Sequence, residues 1–189
     1  MIIEAFVLSL IAGFIRRGSM RNLENMPLRK SYLFVVGFVL AGAILALIIR
    51  GGDPTLIRYA RMINVAQYLV LLVAIGLNLH IRGMFAVGIG TFLNFLVLTA
   101  NGGLMPVSRH ALVAAGLTDV IKNYAVRHVI LTPETRLAFL SDIVPVRLFG
   151  YVCSQVISVG DIIIAVSMFI MIQYYMCRHA PAKEPVPSG

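Results

Sequence analysis

The sequence predicts an all-α membrane protein, a bundle of four to five spans with short interfacial helices between the last two. Two observations predict this fold class. The chain of 189 residues is 59% hydrophobic and only 13% charged, whereas soluble proteins average about 25% charged residues. Several apolar runs also approach the length that a hydrocarbon core roughly 30 Å thick requires.

The predicted spans follow one another along the chain with short polar connections. They cover residues 2–15, 32–49, 63–81 and 84–100, and a last span that begins near Ser158 and ends at Met176. At about 1.5 Å per residue the first run barely crosses the core, so it either spans or lies partly in the interface. We expect one transmembrane domain over residues 1–178 and a disordered, proline-containing cytoplasmic tail over residues 179–189.

The connections indicate how the helices are arranged. Arg82-Gly83 is a short turn, so the helices on either side of it should be antiparallel neighbours. Small residues at Gly37 and Ala41, and at Ala86 and Gly90, have the spacing that lets helix backbones approach closely.

The segment 101–155 contains proline and capping signals and no run long enough to span. Residues 108–116 resemble a short capped helix, and Thr132-Pro-Glu134 has the pattern of a helix start. We expect short helices at the membrane surface here.

Basic residues predict the orientation. The loop 16–30 carries Arg16, Arg17, Arg21, Arg29 and Lys30 against one acid, Glu24. The positive-inside rule places this loop in the cytoplasm. The segment 101–155 then faces outward and the C-terminus is cytoplasmic.

Several function classes are excluded by the composition. The net charge of +8 is not arranged as a basic helix face with interleaved aromatic residues, so no nucleic-acid partner is expected. Cys153 and Cys177 lie far apart, and the four histidines show no paired ligand spacing. We therefore expect no metal site, no covalently bound haem and no cofactor.

Two acids stand out as candidate catalytic residues. Asp161 lies in the first turn of the last span, where Ser158-Val-Gly-Asp161 has the pattern of a capping box. Asp161 is therefore either a structural cap or a functional carboxylate at the membrane edge. Asp142, just before Ile143-Val-Pro145, either ends a helix or is the second acid of a pair. Two such acids can share a proton and activate one water, as in aspartic peptidases.

Other polar residues have both structural and functional interpretations. Asn64, Gln67 and Asn78 fall near one helix face, and Asn94 lies within the next span; interhelical hydrogen bonds are favoured over a polar substrate path. Asn101-Gly102 follows a span directly. Its glycine either caps the helix or lets the backbone approach a substrate.

Three segments resemble an uncharacterised family of bacterial multi-pass membrane proteins. They are Arg17-Gly-Ser-Met-Arg-Asn-Leu23, Ala100-Asn-Gly-Gly-Leu-Met-Pro-Val-Ser108 and Ser158-Val-Gly-Asp-Ile-Ile-Ile-Ala165. The resemblance spans most of the chain. It implies a location in the bacterial plasma membrane and assigns no activity.

The last 55 or so residues are also similar to type II signal peptidase, the lipoprotein signal peptidase. That family uses two aspartates at the membrane edge, one of them in a Phe-Asn-x-Ala-Asp motif that opens the last helix. Ser158-Val-Gly-Asp161 is similar to that motif, with Ser158 in place of its Asn, and Asp142 lies at a similar distance before it. Arg136 stands where that family has an Arg before its first aspartate, whereas the Asn-Leu-Ile-Asp-Arg motif is missing.

The resulting hypothesis is an intramembrane aspartyl hydrolase, peptidase-like, with an outward-facing dyad of Asp142 and Asp161. Substrate binding is assigned to Asn101, Gly102, Arg136 and Ser158. The expected partners are the lipid bilayer and a membrane-anchored peptide or lipid substrate. The alternative is a non-catalytic small transporter, lipid-binding protein or membrane-complex subunit that binds through the polar stripe of Asn64, Gln67 and Asn78.

Overall fold

A computed structural model describes residues 2–49, 54–117, 128–148 and 153–177. The described residues form seven α-helices, one 3-10 helix and four short strands. The helices are α1 (Ile2–Ile15), α2 (Met20–Glu24), α3 (Tyr32–Ile49), α4 (Pro54–Gly76), α5 (Met84–Ala100), α6 (Arg109–Ala115) and α7 (Val159–Met176). The strands are β1 (Met105–Val107), β2 (His128–Ile130), β3 (Val144–Leu148) and β4 (Cys153–Ile157), and the 3-10 helix is Ala138–Leu140.

Five apolar helices pack side by side, in the spatial order α3, α4, α5, α7, α1. In chain order, from α1 through α3, α4 and α5 to α7, each of these helices runs opposite to the one before it. Gly37, early in α3, lies against Leu71, late in α4, and Gly83, just before α5, lies against Met171, late in α7. Gly88, early in α5, lies against Ile75, late in α4, which confirms the predicted antiparallel pairing of α4 with α5.

The bundle has two different ends. The basic end holds residues 16–31 and 77–83, with the last turns of α1, α4 and α7. There Ser19 N donates to Met176 O (3.0 Å). The side chain of Asn78 accepts from Arg29 N through Oδ1 (2.7 Å) and donates to Arg29 O through Nδ2 (2.8 Å). The sheet end holds all four strands and the first turn of α7.

Two of the helices are long and apolar enough to cross a membrane, over Arg58–Gly76 and Val159–Met176. Three more are apolar but shorter, at Ile3–Ile15, Tyr32–Ile44 and Met84–Ala100. The four to five predicted spans therefore correspond to five helices, of which two meet the length and hydropathy of a span.

The helix bounds agree with the sequence except at α4. The structure has helices at 32–49, 84–100 and 159–176 as predicted, whereas α4 begins at Pro54 and ends at Gly76 instead of covering 63–81. Reading residues 54–61 as a loop was wrong. Proline is favoured at the first position of a helix, and Arg58 and Arg61 are exposed in the turns that follow, as charged residues of a helix can be.

The expectation of an all-α fold was wrong for the segment after α5. β1 pairs with β2 in parallel, and β3 pairs with β4 antiparallel from Val144 opposite Ile157 to Leu148 opposite Cys153. Strand pairing depends on segments distant in sequence, so it does not follow from local capping signals. No helix of span length lies in the described part of this segment.

The two helix predictions in this segment had different outcomes. α6 begins after its Ser108 cap, as predicted, and is followed by Gly116 in the left-handed conformation. The helix start at Thr132-Pro-Glu134 was wrong. Thr135 Oγ1 accepts from Thr132 N (2.9 Å), which closes a turn instead. The predicted tail 179–189 lies outside the described residues.

Candidate functional site

Asp161 is held at the start of α7 by a reciprocal cap. Its backbone N donates to Ser158 Oγ (3.0 Å), and its Oδ2 accepts from Ser158 N (3.2 Å). This arrangement confirms the capping box that the sequence predicts. The cap places the Asp161 carboxylate at the sheet end of the bundle.

Asn94 on α5 fixes the same carboxylate from the neighbouring helix. Its Nδ2 donates to Asp161 Oδ1 (2.8 Å), and its Oδ1 accepts from Ser158 Oγ (2.8 Å). Asn94 is buried, so these interhelical bonds satisfy groups that water does not reach. The structural interpretation of Asn94 is confirmed. Both Asp161 oxygens accept a hydrogen bond in this arrangement.

The contact between α5 and α7 depends on two glycines. A Cβ on Gly160 would lie 2.6 Å from Gly90 O and would overlap Asn94 Oδ1. A Cβ on Gly90 would lie 2.5 Å from Gly160 O. The close approach predicted at Gly90 is present, and it brings Asn94 within hydrogen-bonding distance of Asp161.

Asp142 reaches the same region from the short segment between the 3-10 helix and β3. Its backbone N donates to Pro106 O (2.9 Å), and its carbonyl accepts from Ser108 N (2.9 Å). The next residue, Ile143, donates to Ile157 O (3.2 Å). Asp142 is thus joined by its backbone to the β1 region, and its neighbour joins it to the end of β4, directly before Ser158.

The Asp142 side chain is almost completely buried. The residue is 4% exposed, and its Oδ2 lies 3.5 Å from His128 Nε2. Its Oδ1 is buried without a hydrogen-bond partner in the described part of the chain. A buried carboxylate oxygen without a donor is costly, so it marks a position where a donor from a ligand or a water is favoured.

Burial raises the pKa of the Asp142 carboxyl above its ordinary value. The hydrogen bond and the charge of His128 act in the opposite direction, and the negative charge of Asp161 raises the pKa further. The loss of solvation is the largest of these effects. Asp142 therefore keeps a proton more readily than an ordinary aspartate.

Both acids line one polar cavity of about 220 Å³ at the sheet end. The lining residues are Asn64, Gln67, Tyr68, Asn94, Leu98, Met105, His128, Asp142 and Asp161. Asn64 is oriented by a hydrogen bond to Gly103 O (3.0 Å). A polar cavity of this size has room for several waters, or for a short polar group of a substrate.

The structure separates the predicted binding residues from the cavity. Asn101 binds the backbone of Arg136 through its Nδ2 and Oδ1 (2.9 and 3.1 Å), and Arg136 is exposed. Gly102 adopts the left-handed conformation that follows a helix end (φ 70°). None of the three is among the described residues that line the cavity, whereas Ser158 holds Asp161 directly.

The three residues predicted to form a polar stripe lie at two ends of the bundle, because α4 ends at Gly76 and Asn78 lies in the turn that follows. Asn64 and Gln67 line the cavity, but Asn78 is fully buried at the basic end, where it binds Arg29. His128 was missed as a site residue because sequence reasoning tested histidines only for metal spacing. In the described residues, no group of three or more His, Cys, Asp or Glu is placed to hold a metal.

Comparison with known proteins shows where this arrangement belongs. The sequence profile of a family of unknown function, DUF5317, matches residues 25–173. The chain belongs to this family. The matched DUF5317 region runs from the loop before α3 into α7, so it contains both acids, Asn94 and His128.

A related protein is similar over most of the length of both chains. An uncharacterised protein of Thermotoga maritima is 26% identical over 170 residues, which cover 90% of this chain and 89% of the relative. No solved structure matches the chain. These findings agree with the first resemblance, to an uncharacterised family, and give no support to the resemblance to type II signal peptidase.

Proposed function

We propose that this DUF5317 protein is a multi-pass membrane protein of the bacterial plasma membrane. Large apolar side chains on the helices face outward: Phe38 is 76% exposed and Val39 is 65% exposed. Only 22% of the apolar stretch of α4 is buried inside the bundle, unlike a core helix of a soluble protein. Such surfaces are stable against lipid and unfavourable against water.

The charges support one orientation of this bundle. The basic end exposes six cations against the single acid Glu24; they are Arg16, Arg17, Arg21, Arg29, Lys30 and Arg82. The positive-inside rule places this end in the cytoplasm. The cavity then opens toward the outer face, and α7 ends on the cytoplasmic side.

The activity we propose is aspartyl hydrolysis of a membrane-anchored peptide. One observation carries it: Asp142 and Asp161, from separate parts of the fold, line the same small polar cavity, and one of them is desolvated. Two carboxyl groups in different environments can divide the acid and base functions between them. The cavity is also at the bundle end, where the α7 helix would meet the membrane boundary.

The chemistry follows from the two environments. Asp161, oriented by Asn94 and Ser158, takes a proton from a water in the cavity while that water attacks the scissile carbonyl. Protonated Asp142 donates to the carbonyl oxygen, on which negative charge develops. The tetrahedral intermediate then collapses and the C–N bond breaks. Asp161 gives the proton it took from water to the leaving amine, Asp142 takes back the proton it gave to the carbonyl oxygen, and one water is consumed. His128 contacts Asp142 Oδ2 and so orients the acid.

The test uses purified protein in lipid nanodiscs with a panel of single-span peptides in H₂¹⁸O. Hydrolysis puts ¹⁸O into a new carboxyl terminus, which mass spectrometry detects. Asp142→Asn and Asp161→Asn should each lower the rate at least about 100-fold, the usual contribution of a general acid or base. Glu134→Gln is the matched control, because Glu134 is an exposed acid in the same segment.

His128→Gln should retain activity and change its pH dependence. His128 lowers the pKa of Asp142, so its removal should raise that pKa and move the alkaline limb of the rate profile to higher pH. Full activity in either aspartate variant, or no ¹⁸O incorporation by the wild type, contradicts the hydrolase proposal. The non-catalytic alternative, a transporter, lipid-binding protein or complex subunit, is then favoured.

A further inference from the structure

A groove runs along the outer face of α1 and α7, away from the carboxylate cavity. It consists of two cavities, of about 480 Å³ and 310 Å³, that share Phe169 as a wall. The first lies at the basic end and is lined by Arg16, Phe169, Ile170, Gln173, Tyr174 and Cys177. The second continues toward the sheet end.

The basic end of the groove presents an oriented cation. Arg16 Nη1 donates to Gln173 Oε1 (3.2 Å), and Gln173 is itself buried and bound through Nε2 to Ser9 O (2.5 Å). A guanidinium has five N–H donors, and the bond to Gln173 uses one of them. Arg82 adds a second positive charge, because its Cζ lies 4.6 Å from the ring centre of Tyr174, another groove residue.

The second part of the groove is apolar. Its walls include Ala5 and Leu8 of α1 and Ile162, Ala165 and Val166 of α7. At the far end, Glu4 accepts from Gln155 Nε2 (3.1 Å). From Gln173 back to Ile162 the helix rises about 16 Å at about 1.5 Å per residue, close to one leaflet of a hydrocarbon core roughly 30 Å thick.

We propose that this groove binds one anionic phospholipid of the cytoplasmic leaflet. The phosphate contacts Arg16, with Arg82 nearby, and an acyl chain lies along Ala5, Ala165 and Val166. Charge and shape together identify the occupant. The groove has a cation at one end, which suits a phosphate, and an apolar channel of about the length of one leaflet, which suits an acyl chain. This site goes beyond the proposed hydrolase and shares no residue with the cavity of Asp142 and Asp161.

The test measures lipid retention by native mass spectrometry after reconstitution in vesicles of equal phosphatidylglycerol and phosphatidylcholine. The wild type should keep one phosphatidylglycerol in preference to phosphatidylcholine. Arg16→Gln should lower that retention about fivefold, as expected for one cation near a lipid headgroup. Arg21→Gln is the matched control, because Arg21 is exposed in the same basic loop and outside the groove.

A second variant tests the apolar part without changing the charge. Ala5→Leu should fill the channel and lower phosphatidylglycerol retention, while soluble glycerol phosphate should not displace the bound lipid. Equal retention of the two lipids by the wild type overturns the proposal. So does an equal loss in Arg16→Gln and Arg21→Gln, which indicates diffuse attraction, or full retention in Ala5→Leu. The hydrolysis assay is unaffected by any of these outcomes.

Discussion

At the residue scale, Asp142 combines two opposing effects. Its burial favours the protonated form, while His128 at 3.5 Å favours the carboxylate. Its second oxygen is buried without a donor from the described residues, which adds to the cost of ionisation. The burial effect is the larger, so the charged form of Asp142 destabilises the folded protein.

This balance predicts a pH-dependent effect of Asp142→Asn on stability. The pKa of Asp142 is raised in the folded protein from its ordinary value of 3.8. The contribution of Asp142 to the free energy of unfolding is therefore fully present below pH 3.8, and it is lost as the pH rises through the folded pKa. Wild type should therefore lose thermal stability toward alkaline pH relative to the isosteric variant. We expect Asp142→Asn to melt at a higher temperature at pH about 8 and at the same temperature near pH 4.

Melting of the detergent-solubilised protein across this pH range checks the prediction. Glu134→Gln should show no such gain, because a hydrogen bond from Thr132 lowers the pKa of Glu134. A lower melting temperature of Asp142→Asn at alkaline pH would show that the His128 contact outweighs burial.

At the scale of elements, the α5–α7 contact determines the geometry of the site. Gly90 and Gly160 let the two backbones approach, and Asn94 crosses between the helices to Asp161. In the proposed membrane environment, van der Waals packing and interhelical hydrogen bonds are the main forces between helices, because no hydrophobic effect drives the helices together. The position of Asp161 is therefore coupled to the packing of α7.

Gly160→Ala should destabilise the protein by about 1–3 kcal/mol, the usual cost of overpacking a close contact. The added Cβ has Gly90 O only 2.6 Å away and displaces the Asn94 amide from its place beside Asp161. Thermal unfolding measures the loss. Gly76→Ala is the control: nothing lies within 4 Å of its Cβ position, so this helical substitution should be neutral or stabilising. Equal effects of the two variants would mean that the contact is not close.

At the scale of the whole molecule, the two ends of the bundle differ in charge and structure. The basic end gathers its cations from residues 16–31 and from Arg82, which the turn after α4 brings alongside. His80 Nε2 lies 2.9 Å from Pro27 O, which shows that the two segments are in contact. The sheet end holds the cavity.

This polarity predicts a single orientation that cysteine labelling can measure in whole cells. In a background carrying Cys153→Ser and Cys177→Ser, Glu134→Cys should react with an impermeant thiol reagent. Glu24→Cys should react only after the membrane is permeabilised. Both positions are exposed glutamates, so a difference in reactivity between them reports the side of the membrane on which each one lies. The reverse pattern would place the cavity in the cytoplasm and contradict the proposed outward-facing dyad.

The sequence by itself determined the features that depend on neighbouring residues. Uninterrupted apolar runs predicted α3 and α5 at their observed bounds, and the Ser108 and Ser158 caps predicted where α6 and α7 begin. These signals are local, since a helix closes its hydrogen bonds within itself and a cap acts within one turn. The difference at Pro54 is also local, because charged residues are as compatible with an exposed helix turn as with a loop.

Only the tertiary structure decided which distant residues meet. The sequence offered Asp142 and Asp161 as a pair among eight acids. Their common cavity depends on the backbone bonds that hold Asp142 beside β1 and on the glycines that let α5 approach α7. The pairing of β2 with β1 brings His128 to Asp142. Asn78, which the sequence groups with Asn64 and Gln67, lies at the opposite end of the bundle. Contacts between segments far apart in sequence depend on packing of the whole chain, which local patterns do not encode.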